Sequence, residues 1–214
     1  MGRKESLFPL VYVDLDDVLC ETIRAFTDVL RRSFGKSVQF EDVFSFNLGK
    51  SFGLGPKELE EFMILAHQPF VLASIEPIKG AVEVLTEWKN NGIHITVVTG
   101  RPVSSFDVSK EWLQMNKIPF DSFIVVDKYG HDQGDSARKP LGLRRVLRSD
   151  FYLAIEDSPR MSRFLAQHVG VPILLNDRPW NQKIERLPKD LERLVIRCRN
   201  WMEIGNAFNS LAKK

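Results

Sequence analysis

The sequence predicts an α/β fold: a Rossmann-like parallel sheet with helices on both faces, plus a small, mainly helical lobe inserted after the first strand. Three observations predict it. Short apolar, β-branched runs alternate with helical patterns along most of the chain, and that alternation implies parallel strands joined by helical crossovers. The chain has 214 residues, of which 43% are hydrophobic, enough for one sizeable core and a small appended lobe. The interval between the first two apolar runs is far longer than one crossover helix requires.

The elements follow in order. Leu10 to Val13 is the first buried-strand candidate. Ile23, Phe26, Val29 and Leu30 share a helical face over about Glu21 to Ser33. Phe44 to Gly55 is rich in glycine, serine and aromatic residues and reads as loop. Pro56 to His67, with Leu59, Phe62, Met63 and Ala66 apolar, reads as a second helix. These pieces form the inserted lobe, residues 21–76, which divides a core domain of residues 1–20 and 77–214. Val82, Leu85 and Trp88 share one face before an Asn90-Asn91-Gly92 stop, and the β-branched run Ile93 to Val98 follows. Val108, Trp112, Leu113 and Met115 precede a strand at Phe123 to Val126. Leu141 to Leu147 reads as a helix before a strand at Phe151 to Ile155. Met161 to His168 reads as a helix stopped by Gly170, ahead of a strand at Val171 to Leu175. Leu194 to Cys198 is a weaker sixth strand. In such a sheet, ligands bind beyond the carboxyl ends of the strands.

Composition excludes several classes. The formal net charge is only +2, so no broad attraction to nucleic acid or membrane is implied. A local basic stretch, Arg138, Lys139, Arg144, Arg145 and Arg148, reads as a solvated helix face, because an electrostatic footprint for nucleic acid needs a wider surface. Two cysteines, Cys20 and Cys198, make no disulfide framework and fit a reducing compartment. The apolar run behind the charged N-terminus is short, ends in acids and lacks a small-residue cleavage site. No run is long enough to span a bilayer. A soluble cytoplasmic protein without membrane or stable nucleic-acid partners is expected.

The strand ends carry the chemistry. The first strand runs directly into Asp14-Leu15-Asp16-Asp17, three carboxylates that repel one another unless a cation is present. An acidic surface turn would look similar, but these acids abut the apolar run with no polar spacer. A hard cation such as Mg²⁺ suits them. The second strand ends in Thr99-Gly100-Arg101-Pro102, where a hydroxyl, an unobstructed backbone N–H and a guanidinium can meet one phosphate. The fourth ends in Glu156-Asp157-Ser158-Pro159. Lys139, ahead of Pro140 at an expected helix start, is the preferred phosphate-binding lysine, and Lys128, directly after the third strand, is the competing candidate. Each signal alone is weak. All of them lie at carboxyl ends of strands in one sheet, and that coincidence marks a site.

Asp14-Leu15-Asp16-Asp17-Val18, then Thr99-Gly100-Arg101, a lysine and Glu156-Asp157 together resemble the four motifs of the haloacid-dehalogenase (HAD) superfamily, with a cap inserted after the first strand. Asp14 to Leu19, Thr99 to Pro102, Ile155 to Pro159, Asp177-Arg178-Pro179-Trp180-Asn181 and Asn200-Trp201 with Glu203-Ile204 resemble its 5′(3′)-deoxyribonucleotidase-like branch. Glu156 departs from that branch, where several members carry a second aspartate. The resemblance implies a Mg²⁺-dependent phosphomonoester hydrolase working through an aspartyl-phosphate, with a nucleotide as substrate. Asp14 would be the nucleophile, and Asp16 the acid and then the base. Asp14, the backbone carbonyl of Asp16, Asp157 and Glu156 would surround the metal. Thr99, Gly100 and the lysine, Lys139 or Lys128, would hold the phosphoryl oxygens. Arg101 would contact phosphate or brace the loop against an acid, and Asp17 would shape the loop.

Two other readings stay open on sequence: a phosphatase of another phosphoester, such as a sugar phosphate or a nucleic-acid terminus, and a non-catalytic binding protein. Phe44, Phe46 and Phe52 are available to contact a base, or else form the lobe's own core. Trp180 and Trp201 read as packing for the C-terminal segment.

Overall fold

A computed structural model describes residues 9–128, 142–143, 146, 149–182 and 189–212. Among them, six strands form one parallel sheet in the order β3-β2-β1-β4-β5-β6. The strands are β1 (Leu10–Asp14), β2 (His94–Thr99), β3 (Ser122–Val125), β4 (Phe151–Glu156), β5 (Ile173–Asn176) and β6 (Val195–Cys198). All pairings are parallel, with Asp14 opposite Val98 and Val13 opposite Ile155. The sheet grows from β1 outward to β3, then returns to the other side of β1 to add β4. Such a reversal opens a crevice at the strands' carboxyl ends.

Both faces of the sheet are covered, and alternation along the strands decides what goes where. From β1, Val11 and Val13 join one apolar cluster with Ile95, Val97, Leu153, Ile155 and the buried Trp88, Trp112 and Trp201. Tyr12 points the other way, into a second cluster with Val98, Ala154, Ile173, Val146, Met161 and Leu165. Helices α5 (Ala81–Asn90) and α6 (Phe106–Met115) bury Leu85, Trp88, Trp112 and Leu113 on the first face. Helix α7 (Pro159–Phe164), begun by Ser158 as its cap and Pro159 in its first turn, supplies Met161 to the second. A π-helical turn, Leu165–Val169, extends it to Gly170 at φ 73°. A short helix α8 (Lys189–Glu192) precedes β6. The expected helix at Leu141–Leu147 and the basic stretch Arg138 to Arg148 lie outside the described residues, apart from isolated positions such as the buried Val146.

The insert after β1 is helical. It comprises α1 (Thr22–Phe34), α2 (Leu48–Phe52), α3 (Pro56–Ala66) and α4 (Pro69–Ala73). Phe62 is fully buried at its centre, with the rings of Phe26, Phe34 and Phe52 at 5.8, 5.9 and 5.3 Å. The expected loop from Phe44 to Gly55 contains α2. Asn47 caps it, accepting the Lys50 N–H at 3.3 Å, and Gly53 ends it at φ 62°. Five residues are too few to show a 3.6-residue period, so only the Asn and Gly signals were legible. Helix α4 escaped for the same reason of length.

The C-terminal helix α9 (Trp201–Ala212) was not expected either. It buries Trp201, Ile204 and Phe208, and the Trp201 indole donates to the Val18 carbonyl at 2.8 Å. Gly80, which precedes α5, sits at φ 90°, where a Cβ would lie 3.1 Å from Trp201 Cβ. Gly80→Ala combines left-handed backbone strain with this contact and should cost about 2 kcal/mol. The check is the urea midpoint; an unchanged midpoint would show that α5 can shift at no cost.

Candidate active site

The sheet order brings four strand ends together. Asp14 closes β1, Thr99 closes β2, Glu156 closes β4 with Asp157 after it, and Lys128 follows β3 by a short turn in which Val126 N–H donates to the Thr99 carbonyl at 2.9 Å. Asp14, Thr99, Lys128, Glu156 and Asp157 are all buried. Of the two lysine candidates, Lys128 is the one the structure places: its Nζ donates to Asp14 Oδ1 at 2.6 Å and to Glu156 Oε1 at 2.9 Å. Lys139, the residue preferred on sequence, lies outside the described residues.

Ligand atoms from Asp14, Glu156 and Asp157 lie within 4.8 Å of one another. Burial, and then the charge of Glu156, push the Asp14 and Asp157 carboxyls well above the ordinary carboxylate range, although Lys128 opposes this at both. Three acidic side chains thus crowd around the single Lys128 ammonium that bonds to them. Glu156 is the most fully engaged. Its Oε1 accepts from Lys128 and from the Tyr12 hydroxyl at 2.9 Å, and its Oε2 accepts the N–H groups of Asp157 and Ser158 at 3.1 and 3.0 Å. Asp157 Oδ2 accepts the Trp180 indole N–H at 2.7 Å. Among the described residues, Asp14 Oδ2 and Asp157 Oδ1 take no hydrogen bond. All-oxygen donors, crowded acids and two uncommitted oxygens fit a hard divalent cation. Burial and then the charge of Glu156 hold the Tyr12 hydroxyl protonated to well above its usual pH, so it stays a donor.

Asp16 occupies a different environment. Its Oδ1 accepts from Arg101 Nε at 2.9 Å, Arg101 Nη2 at 2.7 Å and Thr22 Oγ1 at 2.7 Å, and Thr99 Oγ1 lies 3.3 Å from Oδ2. Burial alone would raise this carboxyl, but the Arg101 charge and these bonds outweigh it and hold Asp16 below the usual range. Arg101 is itself buried and also reaches Ser109 Oγ at 3.0 Å and Cys20 Sγ at 3.3 Å. Of the two roles considered for it, pairing with an acid is the one visible here. Thr99 Oγ1 also accepts the Arg101 N–H at 3.1 Å, and Gly100, between them, is partly exposed. Burial pushes the Cys20 thiol up, so it is a packed, unreactive group.

Asp17 has φ 55°, a left-handed conformation costly for a residue with a side chain. Its neighbours over-determine that turn. Its carbonyl accepts from Asn176 Nδ2 at 2.8 Å and Arg178 Nε at 2.9 Å, and its Oδ1 accepts the Ile23 N–H at 3.2 Å, capping α1 in place of Glu21. Sequence reasoning missed Tyr12, Thr22, Asn176 and Arg178, which hold the site through long-range bonds that no local spacing encodes. It also gave Trp180 a packing role only, whereas the indole binds a site carboxylate. His67, after α3, is half-buried. Its Nδ1 lies 2.8 Å from the Met63 carbonyl, its ring packs on Phe26 at 5.5 Å, and it feels the charges of Asp16 and Arg101.

The parallel sheet, the helical insert after β1 and the acidic cluster define a HAD-like hydrolase. Solved structures share the fold: a "predicted phosphatase" from Clostridium acetobutylicum (TM-score 0.65, 16% identity, 96% of this chain and 100% of that one) and a haloacid dehalogenase-like hydrolase, SP0104 from Streptococcus pneumoniae (TM-score 0.62, 15% identity, 94% and 98%). Residues 8–209 match the family described as "5′ nucleotidase, deoxy (Pyrimidine), cytosolic type C protein", and the chain belongs to that family. Among its relatives are "Putative nucleotidase BH1399" of Halalkalibacterium halodurans, 25% identical over 94% of this chain and 91% of that protein, and "Putative nucleotidase YqfW" of Bacillus subtilis, 24% identical over 92% of each. Among the described residues, no helix is long and apolar enough to cross a membrane.

A carboxyl raised in the folded state favours folding below its unfolded value and withdraws that contribution as pH rises through the folded value. Without divalent cation, Asp14→Asn should therefore be more stable than the parent at pH 7. That advantage should shrink as pH falls toward about 4, the unfolded aspartate value. Mg²⁺ should stabilise the parent more than the variant. Thermal melting across pH, with and without Mg²⁺, checks both signs.

Proposed function

We propose that this protein is a Mg²⁺-dependent nucleotidase of the 5′(3′)-deoxyribonucleotidase type, hydrolysing phosphomonoesters through an aspartyl-phosphate on Asp14. The observation that carries the reading is the Asp14 carboxylate at the end of the central strand, 2.6 Å from the buried Lys128 and beside Glu156 and Asp157.

Asp14 and Asp157 would hold the ion through their uncommitted oxygens, together with the Asp16 carbonyl, while Glu156 stands behind them and keeps Lys128 and the turn after β4 in place. When bound, the ion offsets the charge between an anionic nucleophile and an anionic phosphoryl group. Asp14 attacks phosphorus as the bond to the leaving oxygen breaks. Lys128, Thr99 and the Gly100 N–H hold the phosphoryl oxygens as charge shifts among them. Asp16 must first take up a proton from solvent as substrate binds; it gives that proton to the leaving oxygen, then takes one from the water that hydrolyses the aspartyl-phosphate. The Arg101 pair favours the ionised form that the second half-reaction needs, and Arg101 braces the loop. Residues 21–76 act as a cap over the core of residues 1–20 and 77–214, closing the site from bulk water.

Nucleotide preference is supported by the family and by the names of the relatives. It is also supported by Phe44 in the cap, which is 66% exposed and can stack on a base, whereas Phe52 is cap core.

Phosphate release from 5′- and 3′-deoxyribonucleotides, ribonucleotides, sugar phosphates and an aryl phosphate, with and without Mg²⁺, tests the reading. Metal-dependent turnover favouring deoxyribonucleotides is expected, and preference for sugar phosphates would overturn the substrate class. Asp14→Asn should abolish turnover, and retained activity would remove Asp14 as nucleophile. Lys128→Gln should lower kcat by about 10²- to 10³-fold, the usual loss for one donor to a developing oxyanion.

A further inference from the structure

The turn after β5, Asp177-Arg178-Pro179-Trp180-Asn181, takes no part in the chemistry above, yet it grips the acidic site from two sides. Trp180 is buried and its Nε1–H donates to Asp157 Oδ2 at 2.7 Å. Asn181 Nδ2 donates to the Asp157 carbonyl at 2.9 Å and to the Asn176 carbonyl at 2.8 Å. Arg178 Nε donates to the Asp17 carbonyl. The turn is itself pinned from β6, since Arg197 Nη1 and Nη2 reach Asn181 Oδ1 and its carbonyl at 2.8 Å each.

On its outer side the same indole meets the cap. Phe40 lies in a short 3-10 turn, Phe40–Asp42, and its ring contacts Trp180 edge-on at 5.6 Å. The Arg24 guanidinium of α1 lies 4.0 Å above the Phe40 ring. A continuous path of touching groups thus runs from cap helix α1 through Phe40 and Trp180 to Asp157.

We propose that Trp180 is a positioning residue for the divalent cation, holding Asp157 Oδ2 by its indole N–H so that Oδ1 is presented to the ion, and that Phe40 ties this setting to the cap. Two features separate this role from packing. An indole that only filled space would need no acceptor on an acid, and Asp157 is held at three points at once: by Trp180, by Asn181 and by its N–H bond to Glu156. Hydrogen bonds to a ligating carboxylate fix which oxygen faces the metal, and their loss typically weakens metal affinity by about 10- to 100-fold. The inference rests on the metal reading of the Asp14–Glu156–Asp157 cluster, and the test keeps the two apart.

Mg²⁺ affinity is measured by titration calorimetry on the full chain, without substrate, for the parent, Trp180→Phe and Phe40→Leu. Trp180→Phe keeps the apolar fill and removes the donor, so affinity should fall about tenfold or more. Phe40→Leu keeps the donor and should lower it less. A Trp180→Phe protein that is folded and binds Mg²⁺ like the parent overturns the proposal while leaving the metal site standing. No Mg²⁺ binding by the parent overturns the metal site, and the proposal with it. Should Trp180→Phe fail to fold, the indole N–H spectrum of the parent decides, since the chain has 4 tryptophans. The indole that Mg²⁺ shifts most must be the one that Phe40→Leu also shifts; if they are different indoles, the proposal is wrong.

Discussion

The constraint on which the structure depends is the crowding of buried acids where β1 and β4 end side by side. Parallel pairing puts Asp14 and Glu156 on neighbouring strand ends, and the chain direction adds Asp157. Water cannot solvate these groups, and in a medium of low polarisability an unpartnered charge is costly. The surroundings are arranged around that cost. Lys128 enters from β3, Tyr12 turns its hydroxyl inward from the opposite face to the main core, and backbone N–H groups and Trp180 supply the remaining donors. Two carboxyls nonetheless remain above their ordinary range. This crowding costs stability, a common trade at functional centres, and leaves an acidic cluster that fits a metal site.

Neighbouring carboxyls are shifted in opposite directions because their surroundings differ. Asp14 faces other acids, whereas Asp16, two residues on, faces the Arg101 guanidinium and the Thr22 hydroxyl. In the proposed function, Asp14 would attack phosphorus and Asp16 would move the proton. The left-handed Asp17 turns the loop sharply after Asp16, and Asn176 and Arg178 hold that turn from β5.

The cap is built into the same network. Thr22 binds Asp16 from the first residue of α1, and Asp17 caps that helix. Glu21 N–H donates to the Glu76 carbonyl at 2.9 Å and Ile78 N–H to the Leu19 carbonyl at 2.8 Å, so the two connections to the cap are bonded to each other beside the motif loop. Phe40 adds a third contact, against Trp180. The acidic motif loop and the groups that hold the helical insert are therefore within a few bonds of each other.

Much of this was legible in the chain. Strand and helix alternation determined the sheet, because a period of two and a period of 3.6 are local properties. The acids of Asp14 to Asp17 and Glu156-Asp157, and Thr99-Gly100-Arg101, were visible because each directly follows an apolar run. Short helices such as Leu48–Phe52 were not, since they span barely more than one turn. The lysine that the structure sets against Asp14 is Lys128, and sequence position favoured Lys139 because Pro140 marks a helix start, a signal silent about distance across strands. Tyr12, Arg178 and Trp180 were equally invisible in the bonds they make at the site. Residues 144 positions apart meet at Tyr12 and Glu156, and only the packed sheet brings them together. The sequence by itself determined which strand ends would carry charge; the tertiary structure decided which partner each charge would have, because charge pairing is set by distance in space and not by separation along the chain.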